Sequence, residues 1–114
     1  MPRLVDKDVS DFRVNFIKEE LKELEDAYET QNLEEIADAL IDLDYVIKGT
    51  GHFHGLPWRA LWHEVHRANM EKVRVEGAED PRSTRPHRFN VVKPEGWKPP
   101  DIAGLLNRQK EIAR

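Results

Sequence analysis

Carboxylates set inside an apolar helical pattern constrain this 114-residue chain more than any other feature. Wound at about 100° per residue, the segment Phe16–Asp42 reads as two acidic helices joined by a short turn at 30–33. On the first helix Phe12, Phe16, Ile17, Leu21, Leu24 and Tyr28 cover one broad apolar face. Glu20 falls near its middle, Glu23 inside it and Glu19 at its edge, whereas an ordinary surface helix places its acids opposite. The second helix carries Leu33, Ile36, Ala37, Ala39, Leu40, Ile41, Leu43, Val46 and Ile47 almost all round. One narrow stripe holds Glu35, Asp38 and Asp42, spaced so that they stack on one side. Both faces are expected to be buried and to carry three to five carboxylates between them; unpaired charge there costs several kcal/mol per ion, so a cation is expected to meet these groups. A hard divalent metal fits best. Mg²⁺ takes near-octahedral oxygen ligands, and Glu20 with Glu23 and Asp38 with Asp42 offer two pairs; Mn²⁺ is the alternative.

The rest of the chain narrows the class. One domain, residues 1–114, is the expected organisation at this length. Lys and Arg total 18 against 22 Asp and Glu, for a formal charge of −4, which argues against general nucleic-acid binding. No apolar run is long enough to span a bilayer, and no apolar signal core follows the start, so a cytoplasmic protein is expected. The absence of cysteine removes disulfides, thiolate zinc sites and thiol catalysis.

Along the chain, Asp8 or Ser10 is the expected N-cap of the first helix. Asn32 with Glu35 makes a capping-box-like start for the second, which runs towards Gly49, Gly51 and Gly55. Pro57 opens a third helix, patterned by Trp58, Leu61, Trp62, Val65, Ala68 and Met70 and expected to reach about Arg74. Glycines and prolines, Pro86 among them, rule out a long helix over about 75–100. Arg82, Arg85, Arg88, Lys93 and Lys98 make that segment basic, and a last helix is expected over Ile102–Ala113. So thin a core predicts an all-α, four-helix-type bundle assembled as a homo-oligomer, dimer or tetramer.

Two further groups have plain readings of their own. His52, His54, His63 and His66 are close in sequence, but His63-Glu64-Val65-His66 is not a zincin motif, since its histidines are three rather than four apart. Surface or capping histidines are expected. Asp44 falls on the apolar side of its helix, where a salt bridge at a subunit contact is the one role we assign it. The basic segment suits a polyphosphate bridging metal and ammonium groups, although alone it would read as a solvated loop.

Glu19-Glu20-Leu21-Lys22-Glu23 resembles the Glu-Glu-x-x-Glu signature of the all-α nucleotide pyrophosphohydrolases, the MazG-like and phosphoribosyl-ATP pyrophosphohydrolase-like group. Ile36–Thr50 is similar to that group's second metal helix, and His66–Lys72 to its Asn-x-x-Lys nucleotide and phosphate element. Lys93–Ile102 is similar to the tail of small members, so the resemblance covers about residues 12–104. It implies hydrolysis of a (d)NTP to the monophosphate and pyrophosphate. Glu20, Glu23, Asp38 and Asp42 would hold Mg²⁺, and Glu19 and Glu20 would be catalytic, Glu19 orienting the attacking water. Asn69, Lys72, Lys93 and Lys98 would bind the nucleotide and offset charge on the leaving pyrophosphate. The chain departs from the pattern at Ala39, where the second motif, Glu-x-x-Asp, has its Glu. Either Asp38 supplies that oxygen, or Glu35-x-x-Asp38 is the motif one turn earlier; we favour Asp38 with Asp42. A catalytically idle metal- or nucleotide-binding oligomer, or a purely structural one, is the alternative.

Overall fold

The computed structural model describes residues 1–112 apart from Ala78, Pro86 and Arg88, with side chains described as far as Arg108. Arg88 of the basic segment, Pro86 and the expected helix end at Ala113 therefore lie outside the described residues. The chain is mostly helical: α1 (Lys7–Glu29), α2 (Leu33–Phe53), α3 (Trp58–Met70) and α4 (Ile102–Ile112), with two short strands, β1 (Val73–Arg74) and β2 (Val91–Val92), between α3 and α4. Among the described residues no helix is long and apolar enough to cross a membrane. The chain divides into two compact units, residues 1–58 with 109–114, and residues 59–108.

The first unit is an antiparallel α1–α2 hairpin. Helix α1 starts earlier than expected, with Asp6 as N-cap in extended conformation. The Asp6 carbonyl accepts the Ser10 amide at 2.9 Å. Ser10 caps nothing, because its hydroxyl donates to the Lys7 carbonyl at 2.9 Å. Asp8 lies in the first turn, where a negative charge suits the helix dipole.

Both helices end in the same way. Gln31 N–H donates to the Tyr28 carbonyl and Asn32 N–H to that of Ala27, the paired bonds of a Schellman motif. Gly55 to His52 and Leu56 to Gly51 repeat it at the end of α2. The left-handed residue is Gly55 (φ +65°) in one and Gln31 (φ +52°) in the other. Asn32 then caps α2 as expected, its side chain accepting the Glu35 amide at 3.2 Å.

Small side chains line the seam between the two helices, where Ala27, Ala39 and Val46 are buried. Arg13 crosses it, donating to the Val46 carbonyl at 2.8 Å and to Thr50 Oγ1 at 3.1 Å. Its guanidinium also lies over the rings of Phe16 and Phe53. Helix α2 runs on through Gly49 and Gly51 without ending, and Gly51 is buried against the Trp58 ring.

The second unit corrects the expected length of α3. The helix stops at Met70 rather than near Arg74, because Lys72 N–H turns back to the Asn69 carbonyl and Val73 enters a strand. Val73 pairs with Val92 and Arg74 with Val91, antiparallel. The β-branched valines suit that ladder, and Val75 and Val92 are buried with Ala68 as the core of this unit. The tail is fastened to α3 by Arg67. It pairs with Glu64 at 2.8 Å and Glu71 at 3.0 Å, and also donates to the carbonyls of Lys98 and Pro99. Glu64 in turn accepts the Asp101 amide at 2.7 Å. In the connecting loop, the Asp80 carboxylate accepts the Glu76 and Arg82 amides and the Arg82 guanidinium. These bonds hold its carboxyl well below the usual range, the Arg82 side chain contributing most.

A further correction concerns the apolar faces. Within one chain they are not buried: Phe12, Leu21 and Tyr28 on α1, and Leu33, Ile41 and Tyr45 on α2, stay exposed. A two-helix hairpin has too few neighbours to cover side chains that surround a helix on all sides. Asp44 bonds Lys48 of its own helix at 2.8 Å. Of the histidines, His54 caps α2, with its Nδ1 2.8 Å from the Arg3 carbonyl. His66 stacks on Trp62 one turn away, at 4.8 Å between ring centres.

Candidate metal and nucleotide site

The antiparallel hairpin sets the middle of α1 against the middle of α2. There Glu20, Glu23 and Asp42 each bring one carboxylate oxygen within 4.8 Å of the others. Glu20 and Glu23 lie one turn apart on α1, and Asp42 reaches them from α2. Glu20 is half-buried, and its Oε2 is fully buried with no hydrogen-bond partner. A buried polar atom left in this way is unusual in a folded protein and calls for an explanation. Burial pushes the Glu20 carboxyl up from its usual range; Glu23, by its charge and by a hydrogen bond that only the protonated form can make, and then the charges of Asp42 and Glu19 add to the shift. A bound cation would act against the whole shift by favouring the charged carboxylate.

The donor chemistry fits a hard divalent ion, since three converging carboxylates are oxygen ligands of the kind Mg²⁺ and Mn²⁺ take. The remaining predicted acids are placed differently. Glu19 is exposed beside the cluster, and Asp38 is not part of it. Asp38 lies one turn along α2, lining a groove of about 330 Å³ with Glu23, Asp26, Ala27, Glu35 and Ala39. Glu23 belongs to both groups. Ala39 is 4% exposed and sits in the helix seam, so the position where the resembling motif carries Glu is filled here by a side chain that packs.

A family model for phosphoribosyl-ATP pyrophosphohydrolase matches residues 1–69, more than half of the chain. The chain belongs to the phosphoribosyl-ATP pyrophosphohydrolase family. Its members are pyrophosphohydrolases, acting on phosphoric anhydride bonds, and the family implies a nucleotide substrate, phosphoribosyl-ATP or one related to it. The family is typically metal-dependent, and the cluster of Glu20, Glu23 and Asp42 could bind a metal. No curated protein matches the chain.

The matched segment contains every predicted carboxylate and ends on Asn69. The predicted lysines lie beyond it, in the second unit. Asn69 is exposed at the end of α3, and its carbonyl accepts the Lys72 amide. The ammonium groups of Lys72 and Lys93 lie over one ring, that of Trp97, at 5.5 and 4.9 Å from its centre. Lys98 is exposed, and its backbone carbonyl is held by Arg67. Arg13 and Arg67 give no signal in the sequence, and Trp97, part of the tail motif, receives no role from it. A basic or aromatic residue gives no periodic signal of its own when its partners are backbone carbonyls.

Proposed function

We propose that the protein is a Mg²⁺-dependent nucleoside triphosphate pyrophosphohydrolase, with Mn²⁺ able to substitute, converting a (d)NTP and water to the (d)NMP and pyrophosphate. The observation that carries this reading is the buried, unpartnered Oε2 of Glu20 beside Glu23 and Asp42. These three residues would hold the ion, with Asp38 and Glu35 in the adjoining groove within one helical turn of Asp42 and Ala39. A bound divalent cation supplies positive charge to phosphate oxygens and makes a coordinated water more acidic. Glu20 and Glu19 are assigned the catalytic role, Glu19 being free on its exposed edge to orient the attacking water. Asn69 is assigned to the sugar or base, and Lys72, Lys93 and Lys98 to the phosphates, where ammonium groups offset charge on the departing pyrophosphate.

The reading takes residues 1–114 as one functional domain of a cytoplasmic four-helix-type assembly, a homodimer or homotetramer, with no nucleic-acid or membrane partner. The exposed side chains of Phe12, Leu33, Ile41 and Tyr45 on the helical hairpin support self-association, because so many exposed apolar side chains favour a partner. Light scattering that returns a stable monomer would count against the assembly.

Pyrophosphate release, assayed over a panel of ribo- and deoxyribonucleoside triphosphates and phosphoribosyl-ATP with and without Mg²⁺, tests the chemistry. Metal-dependent pyrophosphate with the matching monophosphate is the expected result. Orthophosphate alone would place the cut at another bond and overturn the reading. Metal-dependent nucleotide binding without turnover would instead favour the idle alternative, for which the Ala39 departure is the supporting observation.

A further inference from the structure

Trp97 sits where three parts of the second unit converge. A tight turn closed by the bond from Trp97 N–H to the Pro94 carbonyl at 3.1 Å swings its ring back towards α3. There the indole Nε1–H donates to the Ala68 carbonyl at 2.7 Å, one of the last carbonyls of the helix. Arg67, bonded to the carbonyls of Lys98 and Pro99, holds the following residues to the same helix. The ring is thus fixed at its polar edge and along its backbone, and among the described residues two cations rest against it. Lys72 comes from the residues just after α3 and Lys93 from those just after β2, 21 positions apart in sequence. Among the described residues neither ammonium group is paired with a carboxylate.

Two ammonium groups drawn to one ring repel each other, and the face of an indole is the best aromatic surface for offsetting that cost. An arrangement of this kind, with no acid among the described residues to neutralise it, is matched by an anion carrying several charges on linked oxygens. We propose that Trp97 is a positioning residue that holds Lys72 and Lys93 as a paired clamp for the pyrophosphate group. The inference rests on the pyrophosphohydrolase reading only for the identity of that anion. It goes beyond it in giving the indole a role, and in making the two lysines one unit rather than independent charges.

The test is a mutant cycle on the full chain, read by calorimetric titration with inorganic pyrophosphate alone, so that it does not depend on turnover. Trp97→Leu is expected to weaken pyrophosphate binding about fivefold, as loss of cation–π contacts at a partly exposed site would. It should also flatten the dependence of log Kd on log salt. Trp97→Phe, which keeps an aromatic face, is expected to retain most of the affinity. In a Lys72→Met, Lys93→Met background, Trp97→Leu is expected to have no further effect, because residues that act as a unit are not additive. An equal loss in both backgrounds would mean that the indole acts only through stability, and would overturn the proposal. So would wild-type affinity in Trp97→Leu, or no pyrophosphate binding by the wild-type protein. If Trp97→Leu does not fold, the same comparison is made with Trp97→Phe and Trp97→His, where the His variant must bind at least as weakly as Phe. A protein that binds pyrophosphate with this coupling yet hydrolyses no nucleotide would overturn the enzymatic reading and leave the clamp standing.

Discussion

Gly51 and Trp58 are in direct contact, the indole lying where a side chain at residue 51 would have to go. A β-carbon built on Gly51 would be 2.5 Å from Trp58 Cε3 and 2.6 Å from Cζ3. Gly51 therefore stays in the middle of the last turns of α2 against its poor helix propensity, because Trp58 fills the space. Gly51→Ala is expected to destabilise the protein by about 1–3 kcal/mol through overpacking. An unchanged midpoint in urea would show that Trp58 moves aside freely.

The turn between the two acidic helices offers a change of opposite sign. Gln31 holds φ +52° in a position that Gly55 fills at the end of α2. A left-handed conformation costs a non-glycine residue about 1–2 kcal/mol, so Gln31→Gly is expected to raise the melting temperature. Asn32→Ala removes the cap on Glu35 N–H and is expected to cost about 1 kcal/mol. Thermal melts of the two variants should move in opposite directions.

Glu20 should make the metal-free protein sensitive to pH. Its carboxyl is raised from an ordinary value of 4.5 by burial and by Glu23, Asp42 and Glu19. Between the unfolded and folded values the native state therefore binds more protons than the unfolded state. The contribution of Glu20 to stability is fully present below about pH 4.5 and is lost as pH rises through the folded value. In chelator, Glu20→Gln is expected to flatten that decline and to melt at or above the wild-type temperature near pH 7. Mg²⁺ should stabilise wild type by mass action, while the variant loses most of that gain and nearly all activity. A variant with the wild-type Mg²⁺ shift and turnover would move the site elsewhere.

The split between Asp42 and Asp38 gives a direct comparison of roles. Asp42 reaches the Glu20–Glu23 pair, whereas Asp38 lines the adjacent groove. Asp42→Asn is expected to lower kcat/KM by well over ~100-fold, and Asp38→Asn by about 10- to 100-fold, the range for a residue that supports a ligand. Equal losses would show that both carboxylates hold the ion. A larger loss at Asp38 would favour the register one turn earlier, with Glu35.

The local elements could be read from residue order alone, because their causes lie within a few residues. Asn32 and Glu35 announce the start of α2, Pro57 precedes α3, and the glycines and prolines after Val75 exclude a long helix there. The i, i+3 spacing puts Glu20 and Glu23 on one face of α1 before anything else is known. What lies across from that face is a matter of tertiary structure. The hairpin sets Asp42 rather than Asp38 against the pair, and the depth at which Ala27, Ala39 and Val46 pack decides which turn of α2 faces which turn of α1. The same pairing buries one oxygen of Glu20 and leaves Phe12 and Tyr28 exposed, although periodicity marks all three as belonging to one face. Periodicity reports direction around a helix but not what stands opposite. The end of α3 was hidden for a related reason, since Val73 leaves the helix to pair with Val92, 19 residues later, and a two-residue ladder has no signal in either strand by itself. Arg13 and Trp97 belong to this second class, held by backbone carbonyls that come within reach only once the chain has folded, and so do the bonds from Arg67 to the carbonyls of Lys98 and Pro99.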